Sequence, residues 1–229
     1  PTALFAAVSA LLAFGPAHAM TDAELQSIVG RRLHGDRTGA CFAVAVIDRT
    51  VSRAYVCTDG KDAARRIDAD TAFEIGSVSK PMMAALLAGL IRDGKASLDD
   101  PLSAYLPKDS TVPTFDGKPI LLRHIVTHTS GLPAIPGGID DYDPENPYAR
   151  VTEADLLSVL SRTNLAQAPG AKFEYSNFAA MLLSYAIARR AESDFETLLA
   201  ARVFAPLGMG NSYINRKPAH VKVATGYTP

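Results

Sequence analysis

Residues 71–89 constrain the fold of this chain more than any other stretch, because a short apolar run changes there into a helical pattern. The run Thr71-Ala72-Phe73-Glu74-Ile75 meets a glycine at Gly76, and residues 82–87 begin the apolar pattern of a helix. Ser77 therefore falls where a buried strand or loop becomes a helix. The first N–H groups of a helix lack carbonyl partners and carry partial positive charge, which suits a developing oxyanion.

The sequence Ser77-Val78-Ser79-Lys80 places a hydroxyl and an amine three residues apart. Residues at this spacing share a helix face, so the Lys80 amine can reach the Ser77 hydroxyl and activate it as a nucleophile. Pro81 follows directly, and it fits only if the helix begins at about Ser77, where its missing N–H has no helical partner. Because Ser-x-x-Lys is common by chance, a solvated serine and lysine in a first helical turn is the alternative interpretation.

The composition is that of an ordinary globular chain: 229 residues, 48% hydrophobic, 21% charged, with a formal net charge of -1. It predicts one domain, or two closely associated lobes, with a real core. Lysine and arginine cluster at most in pairs, so we expect neither nucleic acid nor an anionic membrane surface as a partner. Helical patterns follow the capping box Thr21-Asp22-Ala23-Glu24 up to Gly35, cover residues 81–93, 120–128, 152–162 and 178–191, and run from Asp194 to the stop at Pro206-Leu207-Gly208.

The beginning of the chain has the pattern of an export signal. Residues 3–14 carry no charge and precede Gly15-Pro16-Ala17-His18-Ala19, whose small residues have the form of a signal-peptidase site. The run is too short to span a bilayer well. We therefore predict a partial signal peptide over residues 1–19, clipped at its start because the basic segment is absent, and a secreted or periplasmic protein without a stable membrane span. An apolar helix buried in the fold is the alternative, but it would place a Gly-Pro break in the core.

Two β-rich runs, residues 41–47 and 51–57, flank Asp48-Arg49-Thr50 and predict an antiparallel hairpin. Pairing that is symmetric about the turn sets Cys41 opposite Cys57, and these are the two cysteines of the chain. In an exported protein this register permits a cross-strand disulfide, while two small buried thiols are the alternative. One hairpin cannot form a stable sheet alone, so the chain looks short of strands.

A second chemically promising segment, Tyr175-Ser176-Asn177, precedes a strongly apolar helix, as Ser77 does. A lysine ammonium near Tyr175 would lower the pKa of its phenol enough for proton exchange with a serine or a leaving group. Asn177 could donate to a substrate amide while also binding the lysine. The alternative is an asparagine that caps the helix beside a packed tyrosine.

Metal chemistry has weaker support. His124 and His128 have the spacing of two ligands on one helical face, but no glutamate lies between them as in a metalloprotease, and no third ligand is evident. Four acidic residues within 140–145 do not follow the order of a calcium loop. We predict no metal and no cofactor, and we interpret the long loop 134–148 as a functional lip with a solvated acidic surface.

Five groups of motifs stand in a fixed order along the chain. They are Phe73-Glu74-Ile75-Gly76-Ser77-Val78-Ser79-Lys80; Leu98-Asp99-Asp100-Pro101 with Tyr105-Leu106-Pro107; Leu122-Arg123-His124-Ile125-Val126-Thr127-His128-Thr129-Ser130-Gly131-Leu132-Pro133; Tyr175-Ser176-Asn177; and Pro206-Leu207-Gly208-Met209. Together they resemble the penicillin-recognising serine hydrolases of the class C β-lactamase type, from about residue 30 to the end. The ordered set is far more specific than any single motif.

The resemblance implies an α/β (α+β) fold of the β-lactamase/transpeptidase type. In that fold an antiparallel sheet flanked by helices joins a mostly helical lobe, and the active site lies in the groove between them. We expect a beta-lactamase-related serine hydrolase domain over residues 20–229. The family's third motif, a Lys-Thr-Gly or His-x-Gly triplet on a late strand, should follow well after Met209. Because no such triplet follows, and Arg37-Thr38-Gly39 precedes the nucleophile, we expect a domain that is incomplete at its C-terminus, with its last strands missing.

The resemblance also implies roles for individual residues. Ser77 would be the acylated nucleophile, with its backbone N–H as half of the oxyanion hole. Lys80 and Tyr175 would share its activation as proton acceptors and donors. Asn177 would orient the substrate, and residues 128–133 would shape the groove without reacting.

These roles imply a serine hydrolase that forms an acyl-enzyme on an amide or ester and passes the acyl group to water. A β-lactam, a D-alanyl peptide and a simple ester all remain open as substrates, and we expect a monomer that binds a small molecule or peptide. The alternative is a catalytically silent penicillin-binding-like module that keeps the fold. Pro81 beside the reactive turn and the missing triplet motivate that alternative.

Overall fold

The structure is a computed structural model that describes residues 19–60, 67–138, 148 and 150–226. The predicted signal peptide lies outside the described residues except for Ala19, and so do residues 139–147 of the predicted lip. In the part that is described, no helix has both the length and the apolar character needed to cross a bilayer.

The described residues form a mixture of helices and strands. The α-helices are α1 (Asp22–Arg32), α2 (Ser79–Arg92), α3 (Leu122–Val126), α4 (Glu153–Arg162), α5 (Asn177–Ala191) and α6 (Phe195–Leu199). The strands are β1 (Cys41–Ile47), β2 (Val51–Cys57), β3 (Thr71–Ala72), β4 (Thr114–Phe115), β5 (Lys118–Pro119) and β6 (Lys222–Val223). The chain divides into two compact units, Pro1–Phe73 with Lys222–Pro229, and Glu74–Val221.

In the first unit, α1 packs on the hairpin of β1 and β2. The capping box that begins α1 is present, with Thr21 Oγ1 accepting from the Glu24 N–H and Glu24 accepting from the Thr21 N–H. The Gln26 side chain bonds both the N–H and the carbonyl of Tyr55 in β2, at 3.1 and 3.2 Å. The short strand β3 pairs with β6 in parallel. The helix therefore covers one face of the hairpin, as the fold prediction requires.

The hairpin has the predicted register, with Cys41 opposite Cys57. The two cysteines form a disulfide across a sequence separation of 16 residues. Of the two interpretations that the sequence left open, the cross-strand disulfide is therefore confirmed.

Loss of this disulfide should destabilise the fold. Closing a loop of about 15 residues restricts the unfolded chain by about 3 kcal/mol in the chain-entropy treatment, so Cys41→Ala with Cys57→Ala should lower the free energy of unfolding by about 2–3 kcal/mol. Urea titration with and without a reductant measures the difference. The reductant should leave the double variant unchanged, and an equal stability of the reduced and oxidised parent would contradict the expectation.

In the second unit, α5 is the central helix. It contacts α2, α3 and α6. Its buried side chains recur at residues 178–179, 182–183 and 186–187, which form one wide face of the helix, and the residues between these pairs are partly buried, which explains why the sequence is apolar almost throughout. Phe178 and Leu182 are 0% exposed, and burial of each such side chain contributes about 1.5–3 kcal/mol. The packed neighbours on α2 are Met83, Leu86, Leu87 and Leu90. Because α2 and α5 pack together, the segments at their N-terminal ends are brought close to each other.

The mixed helix and strand composition agrees with the predicted fold class, but some predicted elements are shorter. The helix expected over 120–128 is only α3, Leu122–Val126, and His128 lies beyond its end with φ of 54°. The sequence Leu98-Asp99-Asp100-Pro101 also has the pattern of a helix start, with Leu106-Pro107 as its end, but the structure has only the 3-10 turn Leu102–Tyr105 there. In both places the backbone forms hydrogen bonds with a distant segment, His128 with Glu174 and Leu102 with Ile120. The local sequence pattern therefore predicts a longer helix than the one that forms.

Candidate active site

Ser77 lies in a tight turn at the start of α2. Gly76 has a φ of 51°, a left-handed conformation that strains any residue with a side chain, and the 3-10 turn Gly76–Val78 continues directly into α2 at Ser79. Lys80 and Pro81 are the second and third residues of α2, where N–H groups have no helical partner, so Pro81 is accommodated as the sequence predicted. The Ser77 side chain is exposed, whereas Lys80 is half-buried.

Tyr175 and Asn177 are held at the start of α5 by the residue between them. Ser176 is the N-cap and is 0% exposed. Its hydroxyl donates to the Pro133 carbonyl at 2.6 Å and accepts from the Ala179 N–H at 2.9 Å. The cap therefore fixes the backbone from which the phenol of Tyr175 and the amide of Asn177 project.

The structure brings the four predicted residues together. The Tyr175 hydroxyl donates to Ser77 Oγ at 2.6 Å, across 98 residues of sequence. Lys80 Nζ donates to the same oxygen at 3.0 Å and to Asn177 Oδ1 at 2.8 Å. One hydroxyl is thus in hydrogen-bond contact with two groups that can exchange protons, which is the geometry that activation of a serine requires.

The Lys80 ammonium also acts electrostatically on Tyr175. Its Nζ lies 4.7 Å from the centroid of the Tyr175 ring. Hydrogen bonding with Lys80, and then with Ser77, lowers the pKa of the Tyr175 phenol below its usual value of 10.0. Tyr175 is therefore deprotonated more easily than a free tyrosine, and its phenolate can accept the proton of Ser77.

The motif at residues 128–133 is the backbone template for this site. The His128 carbonyl accepts from the Glu174 N–H at 2.7 Å, and the Pro133 carbonyl accepts from the Ser176 hydroxyl at 2.6 Å. Gly131 has a φ of 77° and lies against the backbone at Gln167, where a Cβ on residue 131 would lie 2.5 Å from the Gln167 carbonyl oxygen. These contacts support the structural interpretation of the motif.

Tyr148 is a site residue that the sequence analysis did not single out. It is the last residue of the predicted lip, and its hydroxyl accepts a hydrogen bond of 3.2 Å from Asn177 Nδ2. Asn177 therefore bridges Lys80 and Tyr148 with its two amide atoms. The lip was interpreted as functional, but nothing in its sequence distinguishes this tyrosine from other loop residues.

A groove of about 350 Å³ opens beside the cluster. Its polar end is formed by Ser77, Lys80, Asn177 and Tyr148. The remainder is mostly apolar and is lined by Ser79, Met83, Ala180, Met181, Ser184 and Phe195, with Gly76 at the turn. A concave, largely apolar site with a few convergent polar groups is typical of small-molecule binding.

The two histidines do not form the zinc pair that their spacing suggested. His124 Nδ1 accepts from the Leu121 N–H at 3.1 Å, and His128 Nδ1 accepts from the Ser176 N–H at 3.3 Å. His128 lies outside α3, so the pair does not share a helical face. Within the described ranges, no group of three or more metal-ligating side chains comes together.

The helical unit and its cluster define a class of protein in which a serine at a helix start meets a lysine one turn on and a tyrosine that lies just before a second helix. The chain belongs to the β-lactamase family: the sequence model of the family described as Beta-lactamase matches residues 20–229.

Individual relatives carry different names. The chain is 33% identical to the D-alanyl-D-alanine-carboxypeptidase/endopeptidase AmpH of Escherichia coli, over 79% of this chain and 46% of the relative. It is 28% identical to the esterase EstB of Burkholderia gladioli, over 86% of this chain and 52% of the relative. A solved β-lactamase/D-alanine carboxypeptidase from Yersinia pestis superposes with a TM-score of 0.70 at 29% identity, covering 83% of this chain and 56% of that one. The chain thus spans about half the length of the curated relatives that it matches.

Proposed function

We propose that this protein is a serine hydrolase that acts through an acyl-enzyme on an amide or ester. The observation that carries the proposal is the contact of Ser77 Oγ with both Tyr175 Oη, at 2.6 Å, and Lys80 Nζ, at 3.0 Å. A serine is a weak nucleophile at its own pKa and needs such neighbours to take its proton.

Each residue has a defined part in the proposed reaction. Ser77 Oγ attacks the substrate carbonyl while its proton passes to the Tyr175 phenolate or to Lys80 in its neutral amine form, and the backbone N–H of Ser77 stabilises the oxyanion. The same proton then moves to the departing nitrogen or oxygen as the carbonyl–leaving-group bond breaks. Water next attacks the ester on Ser77, gives its proton to the same pair, and releases the acid with the serine restored. Asn177 holds Lys80 and orients the substrate.

The relatives indicate a substrate that contains a reactive carbonyl group. Their names include a D-alanyl-D-alanine carboxypeptidase, an esterase and a β-lactamase, and a peptide, an ester and a β-lactam each contain an acyl carbonyl. We therefore propose three candidate substrates for this site: a D-alanyl peptide, an ester and a β-lactam. The side chains of the groove decide among them, because fold alone does not set specificity.

The protein is proposed to act outside the cytoplasm as a monomer. The Cys41–Cys57 disulfide supports an oxidising compartment, since such bonds rarely persist in a reducing cytosol. The four side chains of the cluster come from one chain, so the site needs no second copy. Cell fractionation and light scattering test these two points.

Turnover of three probes tests the proposal: p-nitrophenyl acetate, a chromogenic cephalosporin and a D-alanyl-D-alanine peptide. We expect at least one to be hydrolysed, with a burst of first product equal to the enzyme concentration if deacylation is slow. Prior treatment with a fluorophosphonate should abolish that turnover. If the folded protein hydrolyses none of the three and is not labelled, the site is that of the catalytically silent module.

A further inference from the structure

His128 has an unusual backbone conformation for a residue that the proposed chemistry does not use. Its φ of 54° lies in the left-handed region, which residues with a side chain rarely occupy. Such a conformation is strained and persists only where surrounding contacts enforce it. Here the His128 carbonyl accepts the Glu174 N–H at 2.7 Å, so the strained residue is tied to the segment that carries Tyr175.

The side chain of His128 bonds the same segment on the other side of Tyr175. Its Nδ1 accepts from the Ser176 N–H at 3.3 Å. Glu174 and Ser176 are the residues on either side of Tyr175, and His128 therefore accepts a hydrogen bond from the backbone N–H of each. The Tyr175 backbone has little freedom to rotate while these two bonds are in place.

The imidazole also supports the phenol ring directly. The centroids of the His128 and Tyr175 rings lie 4.5 Å apart with an interplanar angle of 35°. Phe173 packs edge-to-face with the imidazole, with ring centroids 5.8 Å apart and an interplanar angle of 81°. Ring contacts of this kind fix the orientation of the phenol ring.

We propose that His128 is a positioning residue that holds the Tyr175 phenol on Ser77, by accepting the Ser176 amide hydrogen at Nδ1 and by stacking on the Tyr175 ring. The proposal rests on the proposed function of Ser77 and Tyr175. His128 itself touches neither of the two reacting oxygens, so its effect on the reaction passes through Tyr175.

The role requires a neutral imidazole, because only an unprotonated Nδ1 can accept a hydrogen bond. Burial, and next the nearby Lys80 ammonium, lower the pKa of His128 below its usual value of 6.5. Three charged or titratable groups surround the His128 side chain: Lys80 on α2, and Glu174 and Tyr175 on the segment just before α5. The environment thus favours the form that the hydrogen bond needs.

Two substitutions at residue 128 distinguish the contribution of the His128 side chain from that of its backbone conformation. His128→Gly accepts the φ of 54° without strain and keeps the carbonyl bond to Glu174, but it removes both the acceptor and the ring. His128→Asn also tolerates this backbone region and offers a carboxamide oxygen to the Ser176 N–H. His124→Asn is the matched control, because the His124 side chain bonds the N–H of Leu121 at its own helix start and has no ring contact with Tyr175 among the described residues.

The first readout is the rate constant for acylation of Ser77 at saturating probe. A small displacement of a reacting group can cost about 10²-fold, so His128→Gly should lose about 10²-fold in this rate, with little change in KM. His128→Asn should recover to within about tenfold of the parent, since one of the two contacts is restored. His124→Asn should acylate at the rate of the parent.

The second readout is the pKa of the Tyr175 phenol, obtained from near-ultraviolet titration of each variant against the same variant carrying Tyr175→Phe. In the parent this pKa should lie below 10.0; in His128→Gly it should rise towards 10.0 as the phenol leaves Lys80. A merely structural role would lower the melting temperature and leave this pKa in place. The titration needs no turnover, so it remains informative if the proposed hydrolysis fails.

A folded His128→Gly variant that acylates at the rate of the parent would overturn the proposal, as would a loss of rate without any rise in the Tyr175 pKa. If instead the parent itself is not acylated, the proposed function fails. The titration then decides separately whether His128 positions Tyr175.

Discussion

Replacement of Ser77 by alanine should abolish acyl transfer. The substitution removes the oxygen that bonds both Tyr175 and Lys80 but leaves the turn at Gly76 and the start of α2 intact. Without the nucleophile no covalent intermediate can form, and only water positioned in the groove could react. We therefore expect kcat/KM for the best probe to fall by about 10⁴-fold or more, measured as steady-state turnover with the burst lost.

The control for this variant is Ser103→Ala. Ser103 is an exposed serine in the 3-10 turn Leu102–Tyr105, away from the groove residues, and its loss should leave turnover unchanged. Circular dichroism and thermal unfolding establish that Ser77→Ala remains folded. Turnover that persists in folded Ser77→Ala at the rate of the parent would show that the hydrolysis occurs elsewhere.

Replacement of Lys80 by methionine should produce the next largest loss. Methionine keeps most of the length and apolar stem of the lysine, but it removes the donor to Ser77 Oγ and leaves Asn177 Oδ1 without the ammonium. The pKa of Tyr175 should rise at the same time, because the hydrogen bond with Lys80 is the main cause of its lowering. Loss of a positioned proton acceptor typically costs 10²–10⁴-fold, so we expect acylation to slow by about 10³-fold.

Lys80→Arg distinguishes charge from proton transfer. A guanidinium keeps the positive charge but cannot accept a proton at any ordinary pH. If the lysine takes the proton of Ser77, Lys80→Arg should be about as slow as Lys80→Met; recovery of the parental rate would assign that step to the Tyr175 phenolate. Lys108→Met, at an exposed position outside the groove, is the matched control and should acylate normally.

Local chemistry made several features predictable. The capping box at Thr21 needs only residues three positions apart, and it is present; Thr152, the first residue of the helical pattern over 152–162, caps α4 in the same way. The hairpin register follows from the symmetric β-rich runs about the turn at 48–50, and it brings Cys41 to Cys57. The position of Ser77 at a helix start follows from the glycine before it and the apolar pattern after it.

Long-range features could not be deduced in this way. Nothing local indicates that Tyr175 lies 2.6 Å from Ser77; the resemblance to a family supplied that expectation, and the packing of α5 on α2 accounts for it. The helix predicted to reach His128 stops at Val126, because the following backbone pairs with Glu174 instead of continuing the helix. The contact of Tyr148 with Asn177 depends on where a long loop returns, which a sequence pattern does not encode.

The central claim is that Lys80 and Tyr175 activate Ser77 as the one reacting serine. Peptide mapping by mass spectrometry after brief treatment with a fluorophosphonate tests it most directly. The adduct should lie on the peptide that contains Ser77, should be absent from Ser77→Ala, and should form far more slowly in Lys80→Met and in Tyr175→Phe. An adduct on another serine, or one that forms on Ser77 equally fast in all folded variants, would contradict the claim.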